Sequence, residues 1–212
     1  MNIIQDNLLI KRTSKNYIDN LLDENPNWKV LDIGCGYGAH EKASVICDVQ
    51  DLSKFYENKN FIKLESEILP FKDNEFDFVI ASHVLEHVKE VDIFIKELER
   101  VSSKGYIEVP TKLEDNLVFE NKKDHVWHME FDDINYELII SKKFQYFEPI
   151  LTVSSIKKFS KIFRQSLVLE LYWENQIKYK KNIESKTVQK FSRLSLLRKF
   201  ISKNLRIFLR KK

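Results

Sequence analysis

Glycine, proline and cysteine are all scarce in this 212-residue chain, with four, four and two copies respectively. Two cysteines, Cys35 and Cys47, exclude a disulfide framework. No apolar run approaches the ~18 residues of a membrane span. The opening stretch, MNIIQDNLLIKRTSKNYI, lacks the charged-then-apolar layout of a secretory leader. These absences lead to the expectation of a reduced, cytoplasmic protein. What is present supports a packed core: 43% of residues are hydrophobic and 12% aromatic, which excludes wholesale disorder. The length suggests one domain with an appendage.

Charge of one sign is missing from the end of the chain. Residues 176–212 carry nine Lys and four Arg against a single acid, Glu184, a net of +12. Residues 1–175 carry 31 acids against 22 basic residues, a net of −9. This divides the chain into an acidic globule and a basic docking segment or solvated helix.

Apolar patterning gives three segments. Residues 1–27 form an N-terminal helical segment, with one amphipathic helix around Tyr17–Leu22. Residues 28–175 form the main domain, and 176–212 a basic amphipathic tail. Short apolar runs mark buried strands at Trp28–Ile33, Ser44–Cys47, Phe61–Leu64, Phe76–Ala81 and Tyr106–Val109. Apolar residues at 91, 94, 95, 98 and 101 follow the helical period. Beyond Pro110 the pattern predicts a hairpin (Val126–Phe131, Tyr136–Ile140) and a helix over Ser155–Arg164 with Ile156, Phe159 and Phe163 on one face. A last strand follows at Leu167–Trp173. Strands interleaved with helices indicate an α/β fold: a Rossmann-like, doubly wound, mostly parallel sheet with helices on both faces, plus a C-terminal basic helix.

Three of the four glycines, Gly34, Gly36 and Gly38, stand within five residues, directly after the strand that ends Val30-Leu31-Asp32-Ile33. Such a cluster suits backbone that turns tightly or approaches a ligand. Gly34, Gly36 and Ala39 match the spacing of a dinucleotide loop. However, a carboxylate, Asp32, stands two residues before the first glycine, and the next strand's acid, Asp48, follows it by 14 residues rather than ~20. A carboxylate there suits a cation such as a sulfonium better than a pyrophosphate.

VLDIGCGYG resembles the first motif of the class I S-adenosylmethionine-dependent methyltransferases. Leu69-Pro70-Phe71, Asp73-Asn74 and Phe76–Ile80 are similar to the "LPF…D…FD.V" block of their small-molecule group. Ser82–Val88 (SHVLEHV) is similar to its "vLEHv" signature. Glu97–Val101 and Gly105-Tyr106 continue the resemblance, which covers roughly residues 28–110. It implies S-adenosylmethionine as cofactor. Asp32 would anchor the amino-acid end, Gly34 and Gly36 would let the backbone pass close to methionine and ribose, and Asp48 (with Asp51 as the fallback) would take the ribose hydroxyls. Glu65 stands where relatives usually place an Asp near adenine, with Ser66 as an alternative, and Ser82 and His83 would face the methyl group. Only six residues separate Gly38 from Val45, so the first helix of the fold is expected to shrink to a turn.

Methyl transfer to a hydroxyl requires orientation and removal of a proton. The candidate bases are His83, Glu86, His87, Glu108, His125 and His128. His83 is the first choice, with His125 and His128 in a segment that covers the active site in related proteins. His87 is expected to be packed under the fourth strand. Some sugar-hydroxyl and quinone methyltransferases carry E-x-x-E-H at this block and bind a divalent ion. Here His83 replaces the first carboxylate, and no metal is expected.

The implied reaction is methylation of a sugar hydroxyl on a bacterial surface glycan or its precursor. Alternatives are another small metabolite such as a quinone-like ring, or a non-catalytic cofactor-binding protein. No nucleic-acid element is present. In the tail, Leu194, Leu197, Ile201, Leu205 and Phe208 recur at helical spacing with Lys199, Lys203, Arg206 and Arg210 opposite. This is the pattern of a helix lying on an anionic membrane surface at the inner face, or of one packed on the domain or a second subunit.

Overall fold

The central strands are apolar on both sides because both sides are covered. The computed structural model describes residues 10–182 and 192–210. In chain order the elements begin with β1 (Ile10–Arg12), α1 (Lys15–Glu24), β2 (Val30–Ile33), β3 (Val45–Asp48), β4 (Phe61–Lys63), β5 (Phe78–Ser82), α2 (Val91–Val101) and β6 (Lys104–Pro110). They continue with α3 (Lys112–Leu117), α4 (Asn121–Asp124), β7 (Trp127–Asp132), β8 (Glu137–Lys142), α5 (Val153–Leu167), β9 (Val168–Glu174), β10 (Tyr179–Asn182) and α6 (Arg193–Arg210). Along β5, Phe78 and Ile80 pack with Ile18 and Leu22 of α1 on one face. Val79 and Ala81 join Phe94, Ile95 and Leu98 of α2 on the other. This is the period-two alternation of a strand buried on both sides.

The main sheet has seven strands in the order β1-β9-β6-β5-β2-β3-β4. β4, β3, β2, β5 and β6 run parallel, β9 pairs antiparallel with β6, and β1 pairs antiparallel with β9 at the edge. The strand order reverses between β2 and β5, and ligands of open α/β sheets bind at the carboxyl ends beside such a reversal. A second sheet, β10-β8-β7, contributes Met129, Phe131, Leu138 and Ile140 to the larger core. The expected shortening of the first helix is complete: residues 34–44 run from β2 to β3 as turns alone.

Several boundaries differ from the sequence reading. β1 pairs with β9, so the segment before residue 28 supplies an edge strand of the main sheet as well as α1. β10 pairs in parallel with β8, carrying the folded domain past residue 175 to Asn182. Of the expected apolar face of α5, Ile156 is buried but Phe159 and Phe163 are exposed. Phe163 leaves helical geometry (φ −111°, ψ 27°), and the helix is held at its two ends, through Ile156 and Leu167 against Val118 and Val168. The basic helix forms as α6, with Leu194, Leu197, Ile201 and Leu205 exposed. The side chains of Phe208 and Arg210 lie outside the described ones, as do residues 1–9, 183–191 and 211–212 of the two terminal segments. Among the described residues no helix is long and apolar enough to cross a membrane.

Candidate active site

The turn after β2 is built by backbone that only glycine tolerates. Gly34 has φ +66°, and a Cβ there would stand 2.4 Å from Val84 Cγ2. Both the left-handed dihedral and the close approach exclude a side chain. The Gly34 and Cys35 N–H groups donate to the Cys47 carbonyl at 2.8 and 3.2 Å, which ties the turn to the end of β3. Asp48 closes the same turn from its other side: Oδ2 accepts the Gly36 N–H and Oδ1 the Gln50 N–H, each at 2.9 Å. Tyr56 Oη donates to the Gly36 carbonyl at 2.8 Å and accepts the Ala39 N–H at 3.0 Å.

Beneath this turn lies a cavity of about 450 Å³, walled by Asp32, Gly34, Gly38, Ser82, Tyr106 and Glu108 together with Lys15, Ile18 and His40. Asp32 is 4% exposed. Its Oδ2 accepts the His40 N–H at 2.7 Å. Burial pushes its carboxyl up to about 6, against the smaller opposing pull of that hydrogen bond and of the charges of His40, Lys59 and Lys15. The cavity walls also carry Asp19, Glu41 and Glu108. A carboxylate-rich pocket with a glycine cradle fits a cationic sulfonium bearing an amino-acid end.

The structure brings three of the predicted cofactor residues, Asp32, Gly34 and Ser82, to this cavity. Gly36 and Asp48 bond each other in the turn above it. Glu65 and Ser66 lie beyond β4 on the surface, where Glu65 pairs with Lys63 at 2.8 Å and Ser66 Oγ donates to the Ile68 carbonyl at 3.2 Å.

A second cavity of about 550 Å³ adjoins the first, and Glu108 lines both. His83, at the end of β5, has φ +55° and sits between two carboxylates: Nδ1 is 3.2 Å from Glu86 Oε1, and Nε2 is 3.2 Å from Glu108 Oε1. Burial works to lower its pKa, but the two carboxylates overcome it and lift the imidazole to about 10. A general base needs a free ring nitrogen, and His83 has both engaged. This geometry moves the base away from His83. Burial would likewise raise Glu108, yet its bonds from His83 and Tyr106 and the charge of Arg164 hold it down at about 2. Tyr106 Oη and Arg164 Nη2 contact Glu108 Oε2 at 2.5 and 2.7 Å, and both also reach Glu170 Oε1.

The two later histidines separate. His125 lines the second cavity, with Nδ1 2.6 Å from Asp115 Oδ1. His128 is buried outside the cavity lining. Its Nε2 donates to the Phe144 carbonyl at 2.8 Å, and its Nδ1 lies 2.8 Å from Asp115 Oδ2 at an angle outside hydrogen-bond geometry. Lys143 Nζ completes the cluster, 2.8 Å from Asp115 Oδ1. These partners hold the Asp115 carboxyl well below its ordinary range in spite of burial, which opposes them. His128 is thus packed beside Asp115 and away from the cavity, and of the two His125 is the one with a ring nitrogen left for it. His87, expected under the fourth strand, is instead exposed. The loop after β5 turns it outward, Nδ1 donates to the Asp124 carbonyl at 3.0 Å, and its ring meets His125 edge-on at 4.5 Å.

Arg164, Glu170, Asp115 and Lys143 did not stand out in the sequence. The legible signal was a charge inside an otherwise apolar strand: Glu108 in β6 and Glu170 in β9 face each other in register.

Residues 31–107 match the model of a methyltransferase-domain family. An uncharacterised protein of Methanocaldococcus jannaschii is 29% identical over 68% of this chain and 78% of its own length. A ubiquinone biosynthesis O-methyltransferase of Pelagibacter ubique is 33% identical, but the match spans only 38% of this chain and 40% of that protein. Among solved structures, an S-adenosylmethionine-dependent methyltransferase of Mesorhizobium loti aligns at a TM-score of 0.43 and 13% identity, covering 74% of this chain and 96% of that one. Over residues 31–107 the chain thus carries a methyltransferase domain, in keeping with its resemblance to class I enzymes that use S-adenosylmethionine as cofactor.

Proposed function

We propose that this chain transfers a methyl group from S-adenosylmethionine to a hydroxyl of a sugar, on a surface glycan or its precursor. The observation that carries this reading is the second cavity. It meets the cofactor cavity at Glu108, and polar residues, including His83, Glu114, Asn121, His125 and Arg164, outnumber apolar ones along its walls, while carbon makes up more than half of the lining surface. A polyhydroxylated acceptor can pair with those polar groups and lay its ring face on the rest, whereas a quinone-like ring would leave most of them unpaired.

When bound, the cofactor supplies an activated methyl on a sulfonium. The chain's own residues do the rest. Asp32, Gly34 and Ser82 hold the cofactor, with Gly36 and Asp48 shaping the turn above it. The Glu108–Arg164–Tyr106 cluster forms a rigid partition between the two cavities. His125, oriented by Asp115, presents Nε2 to the acceptor side, where the hydroxyl proton has to be lost.

The exposed α6 extends this reading. Leu194, Leu197, Ile201 and Leu205 share one side of the helix, while Lys199, Lys203 and Arg206 share another; Arg198 borders the apolar row. That pattern suits an anionic membrane surface, at about 1 kcal/mol per basic residue, and would bring the domain to a lipid-linked acceptor at the cytoplasmic face.

The test is transfer of labelled methyl from S-adenosylmethionine to panels of nucleotide-linked sugars, lipid-linked glycans and hydroquinones. The reading expects label on a sugar oxygen. Label on a phenolic ring alone, or cofactor binding without turnover on any panel, overturns it.

A further inference from the structure

Glu86 is wholly buried, and its Oε2 has no hydrogen-bond partner among the described residues. Its Oε1 is met by His83 Nδ1 at 3.2 Å, so Oε2 is the oxygen left for a further donor or cation. Two further imidazoles, besides that of His83, stand close by. One ligand atom each from Glu86, His87 and His125 can be chosen so that all three lie within 4.8 Å of one another. We propose that these residues bind a divalent ion of the zinc class in the wall of the acceptor cavity.

The surroundings of each ligand fit. His125 Nδ1 is held by Asp115 and His87 Nδ1 by the Asp124 carbonyl, so each ring keeps Nε2 for the ion. A carboxylate or carbonyl behind a histidine is the arrangement that orients imidazole ligands and sets their tautomer. Asp115 is itself anchored by Lys143. The Glu86 backbone carbonyl accepts the Val126 N–H at 2.8 Å and the Trp127 N–H at 3.4 Å, which docks the segment carrying His125 against the one carrying Glu86 and His87.

Two imidazoles and one carboxylate are the donors of an open zinc site, not of a magnesium site, which wants oxygen throughout. Ligands on one tetrahedral zinc, at bond lengths of ~2.0–2.1 Å, stand about 3.4 Å apart. Closing the set therefore requires a movement of roughly an ångström or so, which the exposed His87 ring can make. His87 and His125 both line the acceptor cavity, so an ion held by them would stand in its wall, within reach of an acceptor.

This inference rests on reading that cavity as the acceptor site and replaces the expectation that no metal is used. The missing first carboxylate at position 83 is answered by a histidine that lies 38 residues beyond His87. It also changes the role of His125: with Nε2 on the ion the imidazole would not itself take the hydroxyl proton, and the ion would instead acidify a bound acceptor oxygen.

The test uses the full chain, treated with chelator and then titrated with Zn²⁺ by calorimetry and with Co²⁺ by visible absorption, without cofactor or acceptor. One equivalent is expected, with cobalt d–d bands of a nitrogen-ligated, low-coordinate ion. Affinity should fall at least tenfold in His87→Ala and in His125→Ala, and remain in His40→Ala. His87 is exposed, so its variant keeps the test valid if His125→Ala fails to fold. No stoichiometric uptake by the wild type, or uptake undiminished in either ligand variant, overturns the site. Metal uptake is read independently of turnover, so a failure of the sugar assignment leaves this result interpretable, and the reverse holds too.

Discussion

Asp32 and Glu108 line the same cavity and show how its two ends differ. Both are nearly buried, yet Asp32 is raised to about 6 and Glu108 is lowered to about 2. Among the described residues one N–H, from His40, bonds the Asp32 carboxylate. Glu108 is met by an imidazole, a phenol and a guanidinium. One carboxylate has no ion pair of its own among the described residues, only the weaker pull of His40, Lys59 and Lys15, as suits a site for an incoming cation. The other is satisfied within the protein and serves as structure. Burial alone does not mark a binding carboxylate; the lack of an internal partner does.

The acceptor side should be the more fragile under mutation, because its charges depend on one another. Asp115→Ala leaves Lys143 without its carboxylate partner in the interior and unties His125 and His128. Breaking a buried pair in this way costs about 3–5 kcal/mol. A fall in thermal midpoint of several degrees is expected by calorimetry, and a variant as stable as the wild type would show that the cluster is not a structural unit.

The cofactor side should instead show itself through pH. Asp32 is raised, so its charge is present above about 6 and lost as the pH falls through that value. Affinity for S-adenosylmethionine should be flat from pH 8 to 7 and then drop roughly tenfold per unit below 6 as the carboxyl becomes neutral. Titrations at pH 7.5, 6 and 5 measure this. A flat profile down to pH 5 would mean that Asp32 carries no charge interaction with the cofactor.

The smallest effect on the fold is expected from the tail, which belongs to neither side. A chain ending at Lys190 should keep its thermal midpoint within about a degree, because the apolar row of α6 is exposed. It should nevertheless lose flotation with anionic liposomes. Equal flotation of both chains would assign membrane binding elsewhere or nowhere.

Legibility followed the same division. The cofactor half could be read because β2, its glycines and Asp32 are contiguous, and because α2 carries its buried face at the helical period within eleven residues. β1 leaves no mark in the sequence because Ile10-Lys11-Arg12 is a three-residue edge with a single buried side chain. β10 leaves none because Tyr-Lys-Lys-Asn carries no alternation of apolar residues. The acceptor side was readable as a set of histidines but not as a geometry. Whether His83, His87, His125 or His128 faces the cavity depends on Asp115, Glu108 and the Asp124 carbonyl, partners brought together only by the fold. Position 83 shows the limit best: the motif placed it at the methyl, and the two flanking carboxylates occupy both of its nitrogens.

The central claim is that the Asp32 cavity holds the cofactor by charge. Its most direct test is calorimetric titration of S-adenosylmethionine into the wild type and Asp32→Ala at pH 7.5, with the fold of the variant checked by circular dichroism. A charge-assisted contact of ~1.5–3 kcal/mol corresponds to a loss of about 10- to 150-fold. The account predicts one-to-one binding by the wild type and a loss of at least tenfold in a folded variant. Unchanged affinity in Asp32→Ala would contradict it.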